Sequence, residues 1–138
     1  MKTLALAVLI IIAALAAHAR EDEARDVEVK FKPGADSAHI EDSITGYETV
    51  NYRIGARAGQ IMVVDMKTDN GGNQFNIFSP GKGPGDQAMY IGMEAGGRFE
   101  GVLPEDGVYT LQTYLMRSAA RRNEKANYTI DIKIDDAE

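Results

Sequence analysis

From residue 27 onward the sequence is dominated by short stretches in which apolar and polar residues alternate, each cut off by a turn rich in glycine, proline or asparagine. Successive side chains of a strand point to opposite faces, so a period of two marks a half-buried β-strand. VEVKFK sets Val27, Val29 and Phe31 on one side and Glu28, Lys30 and Lys32 on the other, before Pro33 and Gly34 stop it. Residues 44–54 alternate again, with Ile44, Val50, Tyr52 and Ile54 on one parity and Thr45, Tyr47, Thr49, Asn51 and Arg53 on the other. IMVVDM at 61–66 is a more continuous apolar run, as expected of a strand covered on both sides.

The turn DNGG at 69–72 leads into a short strand at 74–78. Residues 79–85 hold three glycines and two prolines and read as a loop. AMYIGM at 88–93, RFEGVL at 98–103 and VYTLQTYLM at 108–116 follow as further strands. YTIDIKI at 128–134 closes the series, with Tyr128, Ile130, Ile132 and Ile134 inward. RSAARRNEK at 117–125 is too short for a packing helix and reads as a loop with one helical turn at most. About eight strands with turn signals every 8 to 12 residues predict an all-β fold, a single antiparallel β-sandwich of jelly-roll type over residues 27–134.

The N-terminus follows a different pattern. Lys2 precedes an unbroken apolar run at 4–17, and Ala17-His18-Ala19 supplies a small-x-small cleavage site. Fourteen apolar residues suit a secretory signal and fall short of the 18 or more that span a bilayer. Residues 1–19 are therefore expected to be removed on export, leaving residues 20–26 as a frayed charged segment and 135–138 as an acidic tail. The exported chain carries fourteen Lys+Arg against twenty-one Asp+Glu, a formal charge of −7. That balance argues against nucleic acid and, after cleavage, against a membrane surface as partners. With no cysteine, a disulfide framework, a cysteine nucleophile and a thiolate metal site are all excluded.

No residue pattern calls for catalysis, a cofactor or a metal. His39 is the one histidine after residue 19, and a lone histidine near a strand edge reads as a surface residue. Asp65, Asp69, Asn70 and Asn73 are oxygen donors near a turn, but their spacing fits no calcium loop. Asn127-Tyr128-Thr129 matches a glycosylation acceptor at the start of the last strand.

What stands out is charge placement. Arg117, Arg121, Arg122 and Lys125 lie within nine residues and, with Glu124, give that connection a local charge of +3. Either this is a solvated loop, or it is an arginine finger that docks into an acidic cleft, a use suited to the planar guanidinium fork. Small residues between the arginines, Ser118, Ala119 and Ala120, would let it approach a narrow groove. Tyr47 has outward parity and is a candidate interface anchor.

These segments also resemble a known family. The run YLMRSAARRNEKANYTIDIKI at 114–134, the pair Gly46 and Tyr47, the segment ARAGQ ending at 60 and LPEDGVYTL at 103–111 are similar to the periplasmic inhibitors of goose-type lysozyme. The resemblance covers most of residues 27–134 and is most specific at Arg117 and Arg121. It implies a non-catalytic periplasmic protein that inserts a loop into the lysozyme cleft, with goose-type lysozyme as partner. Tyr47, Arg117 and Arg121 would be the inhibitory residues, with Arg122, Asn123 and Lys125 in the same loop. The alternative is a non-catalytic carbohydrate- or peptidoglycan-binding or accessory sandwich of the same compartment; in the accessory reading the arginines would lie flat against carboxylates of the protein itself.

Overall fold

The computed structural model describes residues 24–31 and 36–136. The expected signal at 1–19, residues 20–23, the Pro33 and Gly34 stop and the last two residues of the acidic tail lie outside the described residues. The strands are β1 (Ala24–Glu28), β2 (Ser37–Thr45), β3 (Thr49–Ala56), β4 (Ile61–Thr68), β5 (Asn73–Phe78), β6 (Tyr90–Ile91), β7 (Arg98–Val102), β8 (Gly107–Leu115) and β9 (Lys125–Asp135). Two helical turns, α1 (Gly92–Ala95) and α2 (Arg117–Arg121), interrupt them. One sheet has the order β1-β3-β8-β5-β6 and the other β2-β9-β4-β7; apart from β1, which runs parallel to β3, all pairings are antiparallel.

The fold is the all-β sandwich that alternation predicts. Val50, Tyr52, Ile54, Phe75, Ile77, Tyr109 and Leu111 of the first sheet meet Ile44, Met62, Val64, Ile130 and Ile132 of the second in one buried cluster. Val27, Val29 and Phe31 pack against its border. Between the sheets the hydroxyls of Tyr52 and Tyr128 hydrogen-bond at 2.7 Å. Burial in an apolar layer pushes both phenols up from their usual pKa.

Several local expectations change. Strand β2 has no counterpart in the alternation pattern, because its inward residues are Ala38, Ile40, Asp42 and Ile44, only partly apolar. Residues 24–26, expected to fray, open β1: Arg25 reaches across to Asp42 on β2 at 3.0 Å, and Asp26 accepts from Asn51 and Arg53. The alternation over 44–54 spans a turn, not one strand. The run at 61–66 is covered on one side only, with Met62 and Val64 buried and Ile61 and Val63 half-exposed on the outer face. The strand expected over 88–93 shrinks to Tyr90 and Ile91, since Gly92 runs against the Phe75 carbonyl so closely that no Cβ fits, and the chain turns there into α1. Strand β9 also runs one residue past 134, to Asp135.

The outer face of the second sheet carries a transverse row of charges. Register places His39 opposite Asp131, Asp131 opposite Asp65, and Asp65 opposite Arg98. His39 Nδ1 contacts Asp131 and Nε2 contacts Glu41 at 3.3 Å, while Arg98 pairs with Asp65 and Glu100. Two cross-strand carboxylates would repel; the flanking cations offset this.

Both the tyrosine pair and the charge row can be tested by substitution. Tyr52→Phe leaves the Tyr128 hydroxyl buried without its partner and should cost about 1–2 kcal/mol in urea unfolding, with the Tyr52→Phe/Tyr128→Phe double variant costing less than the two singles added. Asp131, then Glu41, raises the pKa of His39 above its ordinary value. Its stabilising contribution is therefore complete below the unfolded pKa of about 6.5 and is lost as pH rises through the higher folded value. An NMR titration should place the His39 midpoint above about 6.5 and see it fall in Asp131→Asn.

Candidate functional site

Three connections cross from one sheet to the other and meet at one place: the β2–β3 turn, the β4–β5 turn and the β8–β9 connection. In the last, Met116 leaves β8 and donates its N–H to the Gly72 carbonyl at 2.8 Å. Residues Arg117–Arg121 then make the single turn α2. At about 100° per residue, Ala119 and Ala120 fall on one side of that turn, and both are buried. Arg117, Ser118 and Arg121 fall on the other and are exposed. Arg117 and Arg121, four apart, therefore leave the same outer face with their stems about 5–6 Å apart.

The turn ends in a Schellman arrangement. Asn123 N–H donates to the Ala120 carbonyl at 2.9 Å and Glu124 N–H to the Ala119 carbonyl at 3.1 Å, with Asn123 at φ +56°. That left-handed position normally belongs to glycine, and asparagine is its common substitute. Asn123 therefore has a structural task in addition to any contact it makes.

Both neighbouring turns press closely on α2. Gly72 lies so near that an added Cβ would sit 3.0 Å from the Ala119 Cβ. Gly46, at φ +62°, leaves 2.7 Å between an added Cβ and Asn123 Oδ1, and its N–H donates to the Glu124 carbonyl at 2.9 Å. The β2–β3 turn is closed by Glu48 Oε1, which accepts the Thr45 N–H at 2.6 Å. Tyr47 follows Gly46 on this turn and is 55% exposed. The turn, not strand parity, points it outward. Lys125 opens β9 opposite Thr45 and is exposed. Five of the six residues singled out in the sequence thus lie on two adjoining connections, and Lys125 opens the strand that follows.

Their electrostatics divide them. Arg122 Nε donates to Glu124 Oε2 at 2.6 Å, so this guanidinium lies on a carboxylate of its own protein. Asn70 Nδ2 donates to Glu124 Oε1 at 3.0 Å; with Arg122 it holds the Glu124 carboxyl below its usual pKa, the Asn70 bond being the larger cause. Among the described residues, the ion pairs involve Arg25, His39, Arg53, Arg57, Arg98, Arg122 and Lys133, and neither Arg117 nor Arg121 takes part in one. Two cations thus share one face of a pinned turn with no ion-pair partner among the described residues.

The other chemistry-bearing residues serve different ends. Asp69 holds the Asn127 amide and N–H at 2.8 Å, Asn73 binds Thr113 and the Tyr114 carbonyl, and Asp65 pairs with Arg98. These donors do not converge on one point. Glu124 is read in the sequence only as one charge of the arginine segment, and nothing there connects Asn70 with it; the structure joins the two at 3.0 Å, and the DNGG turn is the available signal. A groove of about 920 Å³ on the outer face of the second sheet is lined by His39, Asp65, Arg98, Asp131 and Lys133 and includes none of the arginine-loop residues.

No family profile matches the chain. Individual relatives do. The inhibitor of g-type lysozyme from Escherichia coli K12 is 30% identical over 110 residues, covering 80% of this chain and 81% of that protein. The crystal structure of Aeromonas hydrophila PliG, described as a periplasmic inhibitor of g-type lysozyme, superposes with a TM-score of 0.78 at 37% identity, over 83% of this chain and 99% of the other. Salmonella Typhimurium PliG, described in the same terms, gives a TM-score of 0.60 at 29% identity, over 80% of this chain and 98% of the other. With the same sandwich fold as these structures and 30% identity to a curated inhibitor across four-fifths of both sequences, the chain belongs to the family of g-type lysozyme inhibitors.

Proposed function

We propose that this protein is a periplasmic inhibitor of g-type lysozyme that protects peptidoglycan by seating Arg117 and Arg121 in the enzyme's active-site cleft, with Tyr47 as the neighbouring contact. One observation carries the reading: the two guanidiniums share the exposed face of a turn fastened on both flanks, and neither has an ion-pair partner of its own among the described residues. A glycosidase places a carboxylic acid in a groove shaped for a polysaccharide. A guanidinium brought against that acid forms a charge-assisted, bidentate hydrogen bond, holds it ionised and excludes the sugar. No bond is made or broken in the inhibitor, so it acts by stoichiometric occlusion.

Tyr47 adds contact area at low entropic cost, and its hydroxyl can bond at the cleft edge. Arg122 stands further along the same connection, and Lys125 opens the strand after it. The Glu124 contact offsets part of the Arg122 charge, which supports a rim position for Arg122.

The test is lysis of bacterial cell walls by g-type, chicken-type and invertebrate-type lysozymes, with the exported form of the protein titrated in. Inhibition should be confined to the g-type enzyme; no effect at micromolar inhibitor would refute the reading. Arg117→Ala/Arg121→Ala should weaken inhibition by at least about 30-fold, roughly 2 kcal/mol, without shifting the unfolding transition by more than about 0.5 kcal/mol. Lys125→Ala should chiefly slow association and flatten its dependence on salt, leaving the dissociation rate nearly as it was.

A further inference from the structure

We infer that Asn70 and Glu124 are positioning residues of the inhibitor: together they lock the Arg117–Arg121 turn in its docking shape before any lysozyme arrives. The inference rests on the reading that Arg117 and Arg121 enter the cleft.

Glu124 joins the three crossovers. Its carbonyl accepts the Gly46 N–H of the β2–β3 turn, its N–H closes α2 on the Ala119 carbonyl, and its carboxylate takes Arg122 on one oxygen and Asn70 on the other. Asn70 ties the same point to the β4–β5 turn. Its Oδ1 accepts the Gly72 N–H at 2.8 Å, and its Nδ2 donates to the Lys125 carbonyl at 3.2 Å as well as to Glu124. Gly72 in turn supplies the carbonyl that receives Met116 at the entry to α2. The turn is therefore fastened at its start through Gly72 and at its end through Glu124, and Asn70 holds both fastenings.

A five-residue helix has too few internal bonds to hold itself. Left loose, it would have to be ordered at the moment of binding, and the lost backbone entropy would weaken the complex. The Asn70–Glu124 fastening moves that cost into folding, where the sandwich core offsets it. It has a second effect. Glu124 is the anion next to the arginines in the chain, and with both oxygens occupied by Asn70 and Arg122 it leaves Arg117 and Arg121 to face outward.

The experiment compares Asn70→Asp, Glu124→Gln and the double exchange Asn70→Asp/Glu124→Gln in the exported protein. Asn70→Asp keeps the acceptor for the Gly72 N–H but sets a carboxylate against Glu124. Dissociation from g-type lysozyme should become about tenfold faster, and amide hydrogen exchange at Ala120, Asn123 and Glu124 should speed up while the protection of Tyr52 and Ile130 in the strands stays unchanged. Glu124→Gln should move both readouts in the same direction. In the double exchange the amide introduced at position 124 donates to the carboxylate introduced at position 70. The bond between positions 70 and 124 is then re-formed with donor and acceptor reversed, while the bond to the Lys125 carbonyl is not, so part of the loss should be recovered. Wild-type dissociation and exchange in Asn70→Asp would overturn the inference, as would a loss that the double exchange leaves uncorrected or one that follows a general fall in strand protection. Should Asn70→Asp fold too poorly to assay, Asn70→Ser removes the same donor and is judged by its own dissociation and exchange rates against the same outcomes. Failure of the underlying reading is separate: it would appear as full inhibition by Arg117→Ala/Arg121→Ala.

Discussion

The burial of two apolar faces against each other holds this protein together, and everything at its arginine-bearing end depends on that contact. With no cysteine, no disulfide ties the sheets. Their relative position comes from side chains such as Ile44, Met62 and Ile132 pressed against Val50, Tyr52 and Leu111, and from the Tyr52–Tyr128 hydrogen bond between the layers. Burial is non-directional and would tolerate some sliding. The tyrosine pair has a direction, and so does the Arg25–Asp42 bridge along one border.

Once the sheets are fixed, so are the distances that a chain must cover in passing between them. Three such passages meet at the site, with the β8–β9 backbone hydrogen-bonded to both of the others. Side chains there must be small or absent. A Cβ would sit 2.7 Å from Asn123 Oδ1 at Gly46 and 3.0 Å from the Ala119 Cβ at Gly72, and Ala119 and Ala120 turn only methyl groups inward. What reads in sequence as composition suited to entering a narrow groove is thus first a requirement of the protein's own packing. The two demands fall on opposite sides of the same turn: alanines face in, arginines face out.

Much of this is legible in the sequence alone, because strands with one buried face write their orientation into every second residue. Strands β3, β8 and β9 are plain for that reason. Strand β2 is not, since its inner face includes Asp42, which is satisfied by Arg25 seventeen residues away and on the other sheet. No periodicity carries that information. Tyr47 is exposed as its parity in a continuous strand would suggest, but the working cause is the turn that Gly46 makes at positive φ. The arginine cluster is legible as charge and the single helical turn as a possibility. The difference between Arg122 and its neighbours is not, because it depends on which side chain reaches Glu124.

That difference also resolves how an acidic domain can present a basic finger. At about 0.1 M salt, charges more than roughly 10 Å apart are largely screened, so the formal −7 of the whole exported chain matters less at the tip than its immediate neighbours do. There the carboxylate of Glu124 pairs with Arg122, and the remaining charge sits on Arg117, Arg121 and Lys125. Held four residues apart on one face, Arg117 and Arg121 repel each other by a few tenths of a kcal/mol in the free protein. An anion placed between them removes that repulsion and adds attraction to both. The pair is therefore slightly strained when alone and relieved when a carboxylate arrives, whereas a flexible loop would have let the arginines swing apart and lose this discrimination.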